Sequence, residues 1–295
     1  MKTVVHPKAI DYSGLLLLSA IWGSSFVAVE IALESYSALL IAFIRILLAA
    51  LFFLPIIVFK KIPFPKDMKT ILILIIAGVL NNAIPFYLIS WGQQFINGST
   101  AAIMLACGPF ITLILSHYIT HDEKFTFFKL IGVILGFCGV FILLGDDFLN
   151  QRHDSIYGEL AVLLSTIGYL SSGLLLRKVS HIPTLICSTS MFITATLFLF
   201  PFVLFYEKLD SLVFNYSLTS ILFLAIVPTA LASLIRINLV QKVGVQFMSQ
   251  VSYLIPMFAI FWTFIFFDEI PKQSAIFALI LILFGLFIRK IKIKS

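Results

Sequence analysis

Apolar stretches of about twenty residues follow one another from Tyr12 almost to the last residue, and they constrain the fold more than any other feature. A helix rising about 1.5 Å per residue needs roughly 20 such residues to cross about 30 Å of hydrocarbon. Ten spans emerge, at 13–33, 37–58, 70–90, 99–119, 127–145, 156–176, 184–205, 217–239, 246–267 and 273–290. Backbone groups in lipid must satisfy one another, which long uninterrupted apolar runs achieve as helices, whereas barrel strands would alternate polar and apolar residues. Composition agrees: 61% of the 295 residues are hydrophobic, 12% are charged, and the mean hydropathy is +1.10. Soluble domains hold about a quarter charged residues, so little chain is left for one here.

Lys2 and Lys8 give the first span the basic start of a signal peptide, but no small-x-small cleavage site follows, so it reads as a retained span. Cys107, Cys138 and Cys187 sit in different apolar runs without paired spacing. They imply neither a disulfide framework nor a metal site, and read as packing residues.

The net charge of +6 would suit a nucleic-acid partner if the basic residues formed one patch. Instead they sort by loop. With ten spans both termini share a side, and on it fall Lys2, Lys8, Lys60, Lys61, Lys66, Lys69, Lys124, Lys129, Arg177, Lys178, Lys242, Arg289, Lys290, Lys292 and Lys294. The opposite side has Arg152, Lys208 and Lys272 among nine acids, from Glu34 to Glu269. The positive-inside rule therefore places both termini in the cytoplasm. Nucleic-acid binding is set aside, and the tail "RKIKIKS" reads as a topology signal with weak attraction to anionic lipid.

A shift of 146 residues carries Leu17, Leu18, Ser19 and Ile21 onto Leu163, Leu164, Ser165 and Ile167, Pro55 onto Pro201, and Gly98 onto Gly244. It also carries Asp122 and Glu123 onto Asp268 and Glu269, and Gly139, Phe141 and Ile142 onto Gly285, Phe287 and Ile288; Pro109 and Pro256 match one residue out of step. Each half holds five spans, and an odd number forces the second half to lie upside down relative to the first. The expected fold class is thus an all-α integral membrane protein of ten transmembrane helices in two inverted five-helix repeats, 13–145 and 156–290. Such repeats place a substrate site near the midplane between the halves and work by alternating access.

The "IWGSSF" of the first span, Arg45 within "FIRILLAALFFLP", the paired "GPF" and "IPMF", and the paired "DE" closing the fourth and ninth spans resemble the EamA-type branch of the drug/metabolite transporter superfamily. The resemblance covers essentially the whole chain. It implies a multi-pass permease of a bacterial-type inner (plasma) membrane, moving small organic solutes outward or inward by proton coupling or exchange. It says little about substrate.

An ionisable group inside a bilayer is costly and by default points to function. Arg45 lies near the middle of the second span, too deep to reach water alone, and Glu30 lies close to the far end of the first span. Their depths differ by about 9 Å. Two readings stand: Glu30 pairs with Arg45 and takes a proton during transport, or Arg45 anchors carbonyls while Glu30 snorkels outward. Arg236 falls close to the cytoplasmic end of a span ending near residue 239, where snorkelling suffices, with a role in gating or in holding an anionic substrate from the inner side as the alternative. In "GVLNNAIPFY", Asn81 and Asn82 stand at mid-depth before Pro85, where a broken helix would free carbonyls, and "AIVPTALAS" repeats the break at Pro228 and Thr229. The amides read either as cavity lining or as interhelical glue.

Trp22 and Ser25 share a face with Val29 that would point toward the cavity. Tyr169, Gln250 and Tyr253 complete the candidate lining, with Gln93, Gln94, Ser165, Asn238 and Gln246 as weaker members. Gly132, Gly136 and Gly139 make a small-residue face for helix contact within the chain or between chains, so monomer and homodimer both remain open. His117 and His121 share a helical spacing but lack a clear third ligand, so no metal and no other cofactor is expected. No P-loop pattern, "HExxH" pair or nucleophile with a base is found, which disfavours ATP coupling and enzymes. The leading reading is a secondary transporter of small polar or amphipathic metabolites, such as amino acids, with membrane lipids and protons as the other candidate partners. A lipid scramblase, a membrane sensor and, less favoured, a membrane-embedded enzyme are the alternatives.

Overall fold

Every regular element in the computed structural model is helical among the described residues, which are 7–108, 110–111, 127–149, 153–179, 181–207, 215–243, 245–248 and 251–288. A few side chains within these helices, Tyr253 among them, also lie outside the description. The helices occupy all ten expected spans. Ala9–Leu33 is the first, Ala38–Lys60 the second, and Met68–Gly78, Val79–Ala83 and Ile84–Gly92 together the third. Gly98–Leu105 opens the fourth, Phe127–Leu149 is the fifth, His153–Lys178 the sixth and Thr184–Tyr206 the seventh. The eighth runs as Tyr216–Leu224, Ala225–Leu231 and Ala232–Val243, the ninth as Val245–Met248 and Val251–Phe267, and the tenth as Gln273–Ile288.

Short polar side chains start several of these helices by accepting a backbone N–H that the first turn leaves unused. Ser37 Oγ accepts from Leu40 N at 3.1 Å, Asp67 Oδ1 from Thr70 N at 2.8 Å, Asn97 Oδ1 from Thr100 N at 3.0 Å and Asn215 Oδ1 from Leu218 N at 2.9 Å. Pro55 and Pro201, matched by the repeat, each sit inside a helix near its end.

Five described helices are long and apolar enough to cross a bilayer: Ala9–Leu33, Ala38–Lys60, Met68–Gly92, Thr184–Tyr206 and Tyr216–Leu239. Shorter apolar stretches lie at Leu130–Ile142, Leu254–Phe267 and Gln273–Gly285. The exterior is oily, with Phe59 85% and Phe205 83% exposed, while Arg45 is only 6% exposed. That arrangement reverses the soluble pattern and suits lipid as the surrounding solvent. The protein is a multi-pass membrane protein.

The halves interlock through matched contacts. The first span packs on the eighth and ninth as the sixth packs on the third and fourth, and the second packs on the seventh and eighth as the seventh packs on the second and third. The fifth and tenth spans pair with each other. A side chain on Gly139 would run into the Ala278 carbonyl oxygen at 2.9 Å, and one on Gly285 into the Gly132 carbonyl oxygen at 2.6 Å. The small-residue face is therefore used within the chain, where it lets these two helices touch backbone to backbone. Cys107 and Cys187 are buried, as packing residues would be, but Cys138 is exposed on the outer face of the fifth span.

Two large apolar clusters divide the interior. One joins Phe26, Ile103, Val162 and Ile282, and Tyr169 packs against it; the other joins Ile41, Phe53, Phe192 and Leu224, and Phe86 packs against it. Tyr169 and Phe86 thus bring the two clusters to the polar centre described next.

Candidate functional site

The third and eighth spans carry the local distortion on which the site is built. Proline has no N–H and its ring crowds the carbonyl one turn earlier, so a helix passing through it tends to change register. Around Pro85 and Pro228 the chain widens into π-helical turns, Val79–Ala83 and Ala225–Leu231. The two begin 146 residues apart, which is the repeat shift. In the third span Ile84 N–H reaches back to Val79 O, past the Leu80 carbonyl it would meet in an α-helix. In the eighth, Ala232 N–H is shared between Thr229 O and Val227 O, missing the Pro228 carbonyl between them. Wide turns of this kind are frequent at functional sites because they turn side chains and carbonyls out of their usual directions.

Both passed-over carbonyls are met by a first span of the opposite half. Trp22 Nε1 donates to Pro228 O at 3.2 Å. Gly168 lies against the third span so closely that a Cβ there would be 2.5 Å from Leu80 O.

Between these turns a polar centre forms from four spans. Arg45, buried on the second span, donates from Nε at 3.1 Å and from Nη2 at 2.9 Å to Thr229 Oγ1, which projects from the π-helical turn of the eighth. Its guanidinium carbon sits 3.9 Å from the centroid of the Phe86 ring, a cation–π contact from the third span. Arg236 Nη1 donates to Asn81 Oδ1 at 3.1 Å, and Asn81 Nδ2 donates to Asn82 Oδ1 at 3.0 Å. The relay ends at Asn82 Nδ2, a buried donor with no acceptor among the described residues. Tyr169, on the sixth span, lies within electrostatic range of both guanidinium groups.

Arg45, Asn81, Asn82, Tyr169 and Arg236 are thus brought together. The placement of Arg236 differs from the snorkelling expected of it: its side chain turns inward because the third span offers it an acceptor, Asn81 Oδ1.

Glu30 and Arg45 do not pair, despite their similar depth. Glu30 Oε2 accepts from Gly98 N at 3.3 Å and lies within electrostatic range of Glu269, which itself accepts from Asn97 Nδ2 at 3.5 Å. Glu30 belongs to a contact among the first span, the start of the fourth and the loop before the tenth. The reason is rotational position: Glu30 turns to the start of the fourth span and the loop before the tenth, whereas Arg45 turns to the eighth and third spans.

Trp22 reaches the eighth span, but Ser25 Oγ donates to Trp22 O at 2.6 Å within its own helix, so its hydroxyl is spent locally. Ser165 likewise donates to Val162 O at 2.6 Å. Gln93 cross-links the third span to the first through Nε2 and Phe26 O at 2.8 Å, and Asn238 is exposed on the outside. Gln250, the side chains of Gln246 and Tyr253, and His117 with His121 lie outside the described residues. Among the described residues no group of three His, Cys, Asp or Glu could hold a metal ion.

Two contributors were missing from the candidate lining. Thr229 was signalled by its place in the second broken helix. Phe86 had no signal, being one of 31 phenylalanines.

Comparison with known proteins adds a family. The model of the EamA-like transporter family matches twice, over residues 11–145 and 156–289. The uncharacterized transporter YoaV of Bacillus subtilis is 22% identical over 279 residues, covering 93% of this chain and 94% of that protein. The S-adenosylmethionine/S-adenosylhomocysteine transporter of Chlamydia muridarum is 28% identical over 186 residues, 60% of this chain and 56% of that protein. A crystal structure with 13% sequence identity superimposes with a TM-score of 0.66, covering 95% of this chain and 96% of the other, which is a likeness of fold.

Proposed function

Because the chain belongs to the EamA-like transporter family, we propose that it is a secondary transporter that moves small polar or amphipathic metabolites, such as amino acids or related compounds, by alternating access. Its setting in this reading is a bacterial-type inner membrane, with both termini in the cytoplasm as the loop charges require. Proton coupling or exchange drives it.

One observation carries the reading. Polar side chains from both halves, Arg45, Asn81 and Asn82 from the first and Tyr169, Thr229 and Arg236 from the second, converge between two π-helical turns at repeat-equivalent positions. A site shared by two interlocked repeats can be opened to either side by rocking one against the other, while its ligating groups stay near the midplane. Broken helices give each half a place to bend. Glu30, beside Gly98 and Glu269 at the far end of the first span, is the carboxylate assigned to proton coupling. The S-adenosylmethionine/S-adenosylhomocysteine transporter among the relatives keeps such solutes in the panel to be tried.

Counterflow in sealed proteoliposomes tests this. A radiolabelled amino-acid panel with excess unlabelled solute inside is expected to show accelerated uptake of at least one member, slowed tenfold or more by Arg45→Ala. The reading fails if nothing across a broad panel moves in either direction and Arg45→Ala matches wild type.

A further inference from the structure

We propose that the solute recognised at this centre carries a carboxylate or equivalent oxyanion, which supplies the counter-charge that the chain does not provide to its buried arginines, Arg45 first. The proposal rests on the transport reading of the same site and narrows its substrate class.

The two guanidinium groups lie inside the helical bundle of a membrane protein, where an unpaired charge is expensive. Elsewhere the chain does form an ion pair, at a half-exposed helix end: Lys242 Nζ meets Asp11 Oδ1 at 2.5 Å between the eighth and first spans. At the centre it does not. Among the described residues neither Arg45 nor Arg236 forms an ion pair; their partners are a hydroxyl, a ring face and an amide oxygen. Glu30 is turned to Gly98. Glu159, on the sixth span, stands ten residues from Tyr169, about 15 Å along the helix. The centre therefore holds two positive charges that its own carboxylates leave unmatched.

The spare hydrogen-bonding capacity there has one sign. A guanidinium donates and never accepts. Arg45 spends Nε and one Nη2 hydrogen on Thr229, Arg236 spends one on Asn81, and their remaining N–H groups have no acceptor among the described residues. The relay from Arg236 through Asn81 and Asn82 ends in another buried donor, Asn82 Nδ2. A set of donors with two positive charges is complementary to oxygen acceptors bearing negative charge, and the planar fork of arginine matches a carboxylate in two-point contact. A neutral sugar would leave the charges unmatched and an amine would add a third. The Phe86 ring beneath Arg45 and the indole of Trp22 at the neighbouring turn supply apolar wall for the rest of the solute.

Thermal unfolding of the purified full chain in zwitterionic detergent and phosphatidylcholine tests the proposal with matched pairs: phenylalanine against phenylalaninamide, succinate against succinamide, and sodium chloride at equal ionic strength. A ligand that binds the folded state raises Tm. We expect at least one acid to raise it while its amide and chloride do not. In Arg236→Gln the half-maximal concentration should rise about thirtyfold or more, the loss typical of removing one member of a buried charge pair, and in Arg45→Lys, which keeps the charge but loses the two-point fork, it should rise by a smaller factor. Using both variants guards against one that fails to fold.

Equal response to acid and amide overturns the proposal, as does no response to any carboxylate. A response to phosphatidylglycerol alone assigns the centre to a lipid headgroup and also overturns it. Counterflow of a neutral or cationic solute, unaffected by Arg236→Gln, leaves the transport reading standing and removes the anion. Carboxylate binding without movement of any solute removes the transport reading and leaves the anion site.

Discussion

The third and eighth spans hold matching places in the two halves, and each passes over one backbone carbonyl at a π-helical turn beside a proline. The two halves treat that carbonyl differently. In the eighth span Pro228 O receives the indole N–H of Trp22 from the first span; in the third, Leu80 O is covered by the bare backbone of Gly168 from the sixth. Trp22 and Gly168 are one position of the repeat, 146 residues apart. The same feature, a carbonyl passed over by the usual i+4 donor, is thus met once by a hydrogen bond from a large side chain and once by a residue with no side chain. The consequence is asymmetric. The Trp22 contact is made through a side chain, whereas the Gly168 contact is a close backbone approach that leaves Tyr169, the next residue, within electrostatic range of the polar centre.

Three experiments sharpen this contrast. The largest effect belongs to Gly168→Trp, which makes the two positions identical. A Cβ alone would sit 2.5 Å from Leu80 O and 3.0 Å from Pro85 Cγ, so an indole cannot be housed without separating the third and sixth spans. We expect a loss of more than about 3 kcal/mol, read as failure to recover a monodisperse protein or a large fall in Tm.

A middle-sized effect follows from Trp22→Phe, which keeps an aromatic ring but deletes the donor. Pro228 O then loses a hydrogen-bond partner, at a cost of about 1 kcal/mol. A clear but modest drop in Tm is expected; an unchanged Tm would mean that the indole contributes packing rather than its N–H.

The smallest effect concerns how the two spans begin. The third is capped by Asp67 and the eighth by Asn215, each accepting the N–H three residues on. Hydrogen bonds from the backbone and then the side chain of Thr70 hold the Asp67 carboxyl below its ordinary range, with His181 adding a little. A group whose pKa is depressed by folding stabilises the fold above its unfolded pKa, about 4, and loses that contribution as pH falls through its folded value. Wild type should exceed Asp67→Asn slightly in Tm near neutrality if the charged cap is the better one. The gap should close on acidification, since Asn, like Asn215, does not titrate. A gap independent of pH would show that charge plays no part in the cap.

Much of this was legible in the sequence. A polar residue in hydrocarbon stands out against its surroundings, so Arg45, Asn81, Asn82 and Tyr169 could be named as site residues from depth alone, and the structure brings them together. Thr229 was half legible, through the second broken helix. Phe86 was not, because nothing in an oily helix distinguishes the aromatic that meets a guanidinium from those that meet lipid. Depth leaves a pair of Glu30 with Arg45 as one of two readings, but pairing needs rotation about the helix axis as well, and Glu30 turns to Gly98. Sequence depth leaves Arg236 near the end of an apolar stretch that closes at Leu239, and only the neighbouring third span shows the acceptor, Asn81, to which it turns.

The sequence by itself determined that this chain is helical, that it crosses a membrane ten times, and that its halves repeat with a shift of 146 residues. It could do so because backbone groups in lipid have no alternative to helices, and because periodic apolar runs are written directly along the chain. Only the tertiary structure decided which carbonyl each broken helix exposes, which residue answers it, and that two arginines from opposite halves reach one centre without a carboxylate among the described residues to meet them. Those outcomes depend on which helices become neighbours and on their rotation. A π-helical turn changes that rotation for every residue beyond it, by an amount that no local pattern records.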